Sequence, residues 1–353
     1  MNAANSKVFS GEQLTRRAGA PALEYFVAGR KDLPLVVFVP GVGHLARIAY
    51  GVHEGARSED FLAHWLTQAG YSFLGLSYPL ETKAAIFEDH CPEFDTWTWG
   101  EQIAEAAAHH IERHGLPRRF VLLAWSMGGR SLYPAHVRSR ELGLELQAVA
   151  LAATPGLWGL IGGPQPLPMS PNGYLDIPQS LRTFWHAQIG EAIPAAEYHA
   201  NYVGNGPVAL AGRGEVFREG VFVIEPLAQA QQSGAFAVDE FPLVVAIANS
   251  DPIDARHALA DAANWALLNA NALVAWQRKR RLSPGAWSRL LELSGSLPAH
   301  LALRVPGNHF CFVGASAART TALEVVEALQ RLAAVESALA SIADDLPQSR
   351  AQP

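Results

Sequence analysis

The sequence predicts an α/β fold, a mostly parallel central sheet flanked by helices, with an inserted cap or lid. Three observations carry this. Short β-branched apolar runs alternate with longer helical patterns, the rhythm of βαβ units. Several runs, such as Leu35–Val39 (LVVFV), are apolar at consecutive positions, as expected of strands covered by helices on both faces. From about Pro155 to Phe241 that rhythm breaks into a loop-like stretch, GLWGLIGGPQPLPMSPNGYLDIPQS, followed by an aromatic helical pattern, and then resumes.

In chain order, the strands expected are Ala22–Val27, Leu35–Val39, Tyr71–Ser77, Phe120–Trp125, Ala148–Ala153, Leu243–Ala248 and Leu301–Val305. Helical patterns cover Glu59–Ala69, Glu101–Gly115, Ser131–Leu142 and Ala318–Ala340. Thr98 followed by Glu101 reads as a capping box, in which two side chains satisfy exposed N–H groups at a helix start. Residues 1–155 and 241–345 are therefore assigned to the sheet-bearing core, and 156–240 to a cap or lid carried on one of its loops. The helical stretch Ala258–Leu297 is long for a single crossover, and its pattern leaves open whether it joins the cap or packs on the sheet.

At 353 residues the chain can bury a large core, and 49% hydrophobic against 17% charged residues excludes a disordered chain or a coiled coil. The formal net charge of -6 argues against nucleic acid as a partner. The basic run Arg278–Arg281 reads as a solvated helix face. Two distant cysteines, Cys91 and Cys311, form neither a disulfide framework nor a metal knuckle, which fits a reducing compartment. Arg16 and Arg17 stand together as in a twin-arginine signal, but Glu24 follows and no long apolar segment does, so no export signal is expected. Apolar runs stay below the ~20 residues that span a bilayer. The expectation is a soluble, cytoplasmic protein; its oligomeric state is not legible.

The strand Phe120–Leu123 runs into Ala124-Trp125-Ser126-Met127-Gly128-Gly129 and then a helix. This places a serine at a sharp strand-to-helix turn, where bulky neighbours two residues away on either side would clash, so small residues flank it. A serine hydroxyl is a weak nucleophile unless a base takes its proton and an acid orients that base. His309, in Val305-Pro306-Gly307-Asn308-His309-Phe310 after the last strand, is the candidate base. The candidate acid follows the preceding strand in Asn249-Ser250-Asp251-Pro252-Ile253-Asp254. Asp251 is preferred to Asp254 because it comes first after the strand, leaving Asp254 as a turn or cap carboxylate.

In the order Ser126, Asp251, His309 the chain resembles the α/β-hydrolase superfamily over roughly residues 22–155 and 241–336, with Ala124 in place of the first glycine of its elbow. The resemblance implies a Ser-His-Asp hydrolase cleaving a carboxylic ester or thioester. It also implies an oxyanion hole formed by the backbone N–H groups of Val42 and Met127, although Pro40 stands where the family often has His. An acyltransferase using the same triad and a non-catalytic ligand-binding relative remain alternatives. No cofactor and no metal is expected.

Other signals are weaker. Gly41-Val42-Gly43-His44-Leu45-Ala46 matches a dinucleotide-binding turn, but the next strand, ending Leu76-Ser77-Tyr78-Pro79, offers no acid for a ribose. His110 and His114 have metal-compatible i, i+4 spacing, yet Ile111 and Glu112 between them do not make H-E-x-x-H, and a polar helix face is expected. His44 could contact substrate or cap its loop, and Trp125 could line a pocket or pack behind the sheet. Trp158, Trp185, Tyr198 and Tyr202 could line a binding surface or form the cap's core; their density favours a small-molecule substrate with an apolar acyl or aromatic group.

Overall fold

Eight strands form the central sheet: β1 (Glu12–Arg17), β2 (Ala20–Val27), β3 (Leu35–Val39), β4 (Ser72–Ser77), β5 (Arg119–Trp125), β6 (Glu145–Leu151), β7 (Val244–Ala248) and β8 (Ala302–Arg304), in the order β1-β2-β4-β3-β5-β6-β7-β8. This architecture is that of a computed structural model, which describes residues 8–155, 165–211, 214–218, 220–234, 237 and 241–344. From β4 to β8 every neighbouring pair is parallel, while β2 runs antiparallel to β1 and β4. Arg16 and Arg17 lie in β1 at the sheet edge, where Arg17 pairs with Glu24 of β2.

Consecutive apolar runs arise because the two faces of each central strand feed separate cores. In β3, Val36 and Phe38 join one layer and Leu35, Val37 and Val39 the other; β5 splits likewise, with Val121, Leu123 and Trp125 opposite Phe120, Leu122 and Ala124. Helices α1 (Leu62–Gln68) and α7 (Ala315–Asp344) cover the first layer, and α2 (Thr96–His114) and α3 (Leu132–Glu141) the second.

Helix α2 begins earlier than its pattern suggests. Its cap is Asp95, whose Oδ1 accepts the Thr98 N–H at 2.9 Å; Thr98 lies inside the first turn, so the Thr98–Glu101 capping box does not form. The long stretch left open by the sequence forms α5 (Ala255–Arg278) and α6 (Pro284–Leu301), and both pack on the sheet. On α5, buried Trp265 donates Nε1–H to the Ala153 carbonyl at 2.8 Å, and the Asn269 amide bonds both the N–H and the carbonyl of Val244 at 2.8 Å. Arg278, Lys279 and Arg281 are exposed at the end of α5, and Arg280 lies over the Trp276 ring at 4.2 Å. Among the described residues no helix is long and apolar enough to cross a membrane.

Between β6 and β7 the chain leaves the sheet. Its described residues include a small antiparallel sheet (Gln165–Pro168, Gly214–Arg218, Val221–Ile224) and helix α4 (Gln179–Ile189). Ile189, Ile193, Tyr198, Tyr202 and Val203 from this insert enter the first core layer.

Candidate active site

Strand order reverses at β3, because the chain passes from β3 to β4 on one side and then back to β5 on the other. Parallel sheets open a crevice at the carboxyl ends of the strands at such a point. The loops after β3, β5, β7 and β8 carry Val42, Ser126 and Met127, Asp251 and Asp254, and His309 respectively.

Ser126 follows β5 directly and opens a 3₁₀ turn, Ser126–Ser131. Its φ of +55° is left-handed, a conformation that costs a non-glycine residue about 1–3 kcal/mol and that surrounding structure must impose. The neighbours explain how it is accommodated. A Cβ on Gly41 would lie 2.6 Å from Ser126 Cβ, and one on Gly129 would lie 2.4 Å from the Thr154 carbonyl oxygen, so glycine at both positions lets the turn press against the β3 loop and the end of β6.

His309 is next to Ser126, with Nε2 at 2.9 Å from Oγ. Its Nδ1 lies 2.8 Å from Asp254 Oδ2, so Nδ1–H donates to the carboxylate and Nε2 is left to accept the serine hydroxyl. Asp254 also accepts from the Asn249 side-chain amide. Burial pushes the Asp254 carboxyl up, but hydrogen bonding and charge from His309 and the charge of His257 outweigh it and hold it below the ordinary carboxylate value. Burial pushes His309 down from the usual 6.5, more than the Asp254 hydrogen bond raises it, with His257 pushing the same way. The ring is therefore neutral at pH 7 and able to take a proton.

Asp251, the acid expected at His309, is elsewhere. Its Oδ1 accepts the Ile253 N–H at 2.9 Å, capping the 3₁₀ turn Pro252–Asp254, and its own N–H donates to the Gly307 carbonyl at 3.0 Å. That turn folds the chain back after β7, so that the carboxylate three residues later reaches the histidine. A signal for this was present: Asp followed by Pro reads as an N-cap with Pro at the first helical position.

Trp125 is buried and donates Nε1–H to the His309 carbonyl at 2.9 Å, with its ring centroid 5.1 Å from the imidazole; it packs behind the site and holds the histidine loop. Asn308 ties the same loop to the insert, donating to the Gln188 carbonyl at 2.9 Å.

The loop after β3 is held equally firmly. The Tyr78 hydroxyl donates to the Gly41 carbonyl at 2.8 Å and accepts the Gly43 N–H at 2.9 Å, bracketing Val42. His44 donates Nδ1–H to the Val42 carbonyl at 2.8 Å, and its Nε2 accepts the Tyr198 hydroxyl of the insert at 2.8 Å. Burial above all, with repulsion from His309, pushes His44 down to about 3. Leu45 N–H donates to the Tyr202 carbonyl and Gly204 N–H to the Gly43 carbonyl. Gly41, which precedes Val42, abuts Ser126, and Met127 follows the serine in the chain. Tyr198 and Tyr202 are core residues of the insert, Trp185 packs 4.9 Å from His44, and Trp158 lies outside the described residues.

The α2 histidines form no polar face. His110 is buried, with Nε2 2.9 Å from Glu24, and the rings of His110 and His114 stack on Phe26 at 4.8 and 4.0 Å.

Tyr78 and Tyr198 carry no local pattern because their partners are distant in sequence, Asn249 because a turn that only the fold sets brings it to Asp254, and His257 because the fold sets the orientation of its helix face. A serine on a strand–turn–helix elbow, followed in chain order by an acid and a histidine behind later parallel strands, is the arrangement of the α/β-hydrolase fold. No family model matches the sequence, and no curated protein matches it. Among solved structures the chain is similar to an esterase from Thermogutta terrifontis with malate bound, at 10% identity over 91% of this chain and 99% of that one, TM-score 0.48. It is similar to a soluble variant of monoglyceride lipase from Saccharomyces cerevisiae at 10% identity over 96% and 98%, TM-score 0.45. A thioesterase domain from the curacin biosynthetic pathway is similar at 12% identity over 88% and 98%, TM-score 0.40.

Proposed function

We propose that this chain is a serine hydrolase that cleaves a carboxylic ester or thioester through an acyl-enzyme on Ser126. The observation that carries the reading is the continuous hydrogen-bonded line from Oγ of Ser126, a serine of positive φ, through His309 to Asp254. His309 takes the serine proton as Oγ attacks the carbonyl carbon, and Asp254 stabilises the imidazolium that forms. The N–H groups of Val42 and Met127 receive the developing oxyanion, each contributing on the order of 3 kcal/mol to lowering the barrier. His309 then returns the proton to the departing alcohol or thiol, and water activated by the same ring releases the acid.

The Tyr78 and His44 contacts support the reading, because donors fixed before the reaction need no reorganisation during it. The insert acts as the cap over this site, and its apolar and aromatic residues suit an apolar acyl or aromatic substrate group. Intact-mass analysis after treatment with a small fluorophosphonate tests this without knowledge of the substrate. A single adduct on the wild type, absent from Ser126→Ala, is the expected result; no adduct on the wild type would overturn it.

A further inference from the structure

A second histidine stands beside the first. His257, in the first turn of α5, has its ring centroid 4.7 Å from that of His309. Asp254, His257 and His309 each offer one ligand atom, and these atoms all lie within 4.8 Å of one another. The ordinary hydrolase cycle gives His257 nothing to do.

An independent observation bears on its role. His257 Nδ1 lies 3.0 Å from Oδ2 of Asp261, a carboxylate that is 1% exposed and whose other oxygen, Oδ1, is buried without a hydrogen-bond partner. A carboxylate on one ring nitrogen fixes the tautomer and orientation of the imidazole, leaves the other nitrogen as a lone pair and raises its basicity; this is the support that metal-ligating histidines have. Burying a carboxylate that deeply is costly, and a cation bound through His257 would offset it.

We propose that Asp254, His257 and His309 bind a zinc ion, and that its occupancy switches the catalytic base off. The inference rests on the reading of His309 as that base. Two imidazoles and a carboxylate suit zinc, with water as the fourth ligand. Zinc at ~2.0–2.1 Å from each ligand sets ligands ~3.3 Å apart, so the 2.8 Å contact between His309 Nδ1 and Asp254 opens by about half an ångström. Zinc takes the Nδ1 lone pair only if the ring proton moves to Nε2. The ring then donates to Ser126 and cannot accept its proton, while Asp254 is turned from the imidazole to the metal. The neutral ring keeps one proton throughout, so none is lost in the switch.

The test titrates the full chain with zinc against a chromophoric chelator, and in parallel measures the rate of fluorophosphonate labelling with and without zinc, each protein relative to its own chelator-treated rate. One zinc per wild-type chain is expected, with labelling slowed by at least about tenfold at saturation. Asp261→Asn is expected to weaken zinc binding by about 10- to 100-fold, and His257→Gln to abolish both binding and the zinc response. Ser126→Ala, which cannot be labelled, should bind zinc like the wild type, so the site is tested even if the hydrolase reading fails. His257→Ser serves as a second variant, and circular dichroism confirms that each protein is folded. Absence of stoichiometric binding by the wild type, or undiminished binding by folded His257→Gln and His257→Ser, would overturn the proposal.

Discussion

Two histidines flank Trp125, the buried His44 on the loop after β3 and the partly buried His309 on the loop after β8, with ring centroids 5.1 Å from the indole in both cases. Burial pushes both below the usual imidazole value. They differ in what their nitrogens meet. His44 lies between a backbone carbonyl and a tyrosine hydroxyl, two neutral partners that use up both nitrogens and stitch the insert to the loop. His309 lies between a carboxylate and a serine hydroxyl, so a proton received from the serine is stabilised where it arrives. The lesson is that burial makes a histidine neutral, whereas the charge and acidity of its partners decide whether it is a strut or a base.

The largest effect expected from breaking this comparison is on the His309 side. Ser126→Ala and His309→Ala each reduce kcat by about 10⁴- to 10⁶-fold with an ester panel of graded acyl size, while circular dichroism stays that of the wild type. His44→Ala should reduce kcat by no more than about 100-fold, through displacement of the Val42 loop; a loss equal to that of His309→Ala would erase the distinction between the two. Tyr198→Phe leaves His44 Nε2 buried without its donor, and urea unfolding should show a loss of about 1–3 kcal/mol with only a small change in kcat. The smallest effect is on pH dependence. His309 must be neutral to act, so kcat/KM in chelator-containing buffer rises with pH and levels off with a midpoint below 6.5. An acid limb centred above 6.5 in the wild type would contradict the burial argument.

Much of the scaffold was legible because each central strand is apolar on both faces, a demand imposed by two helical layers that few other folds make. Edge strand β1 was not, since Glu12, Thr15, Arg16 and Arg17 give it a polar pattern; its membership of the sheet rests on the hairpin it makes with β2 and on Glu12 being buried against Arg47, a partner remote in sequence. The proximity of Ser126 to His309 was legible from strand ends, which bring together loops that are 183 residues apart. The preference for Asp251 was wrong about contact because distance from the strand end was counted along the chain, while the Pro252–Asp254 turn reverses it. The fixed positions of His44 and His257 depend on Tyr198 and on the packing of α5, which no local pattern records.

The comparison therefore turns on which carboxylate supports His309, and the rate of fluorophosphonate labelling of Asp254→Asn and Asp251→Asn measures it most directly. The account predicts that Asp254→Asn reacts at least about 100-fold more slowly than the wild type, having lost the group that orients and charges the base. Asp251→Asn, which keeps an oxygen able to cap the same turn, should react within about threefold of the wild-type rate. Slow labelling of Asp251→Asn together with wild-type labelling of Asp254→Asn would contradict the account.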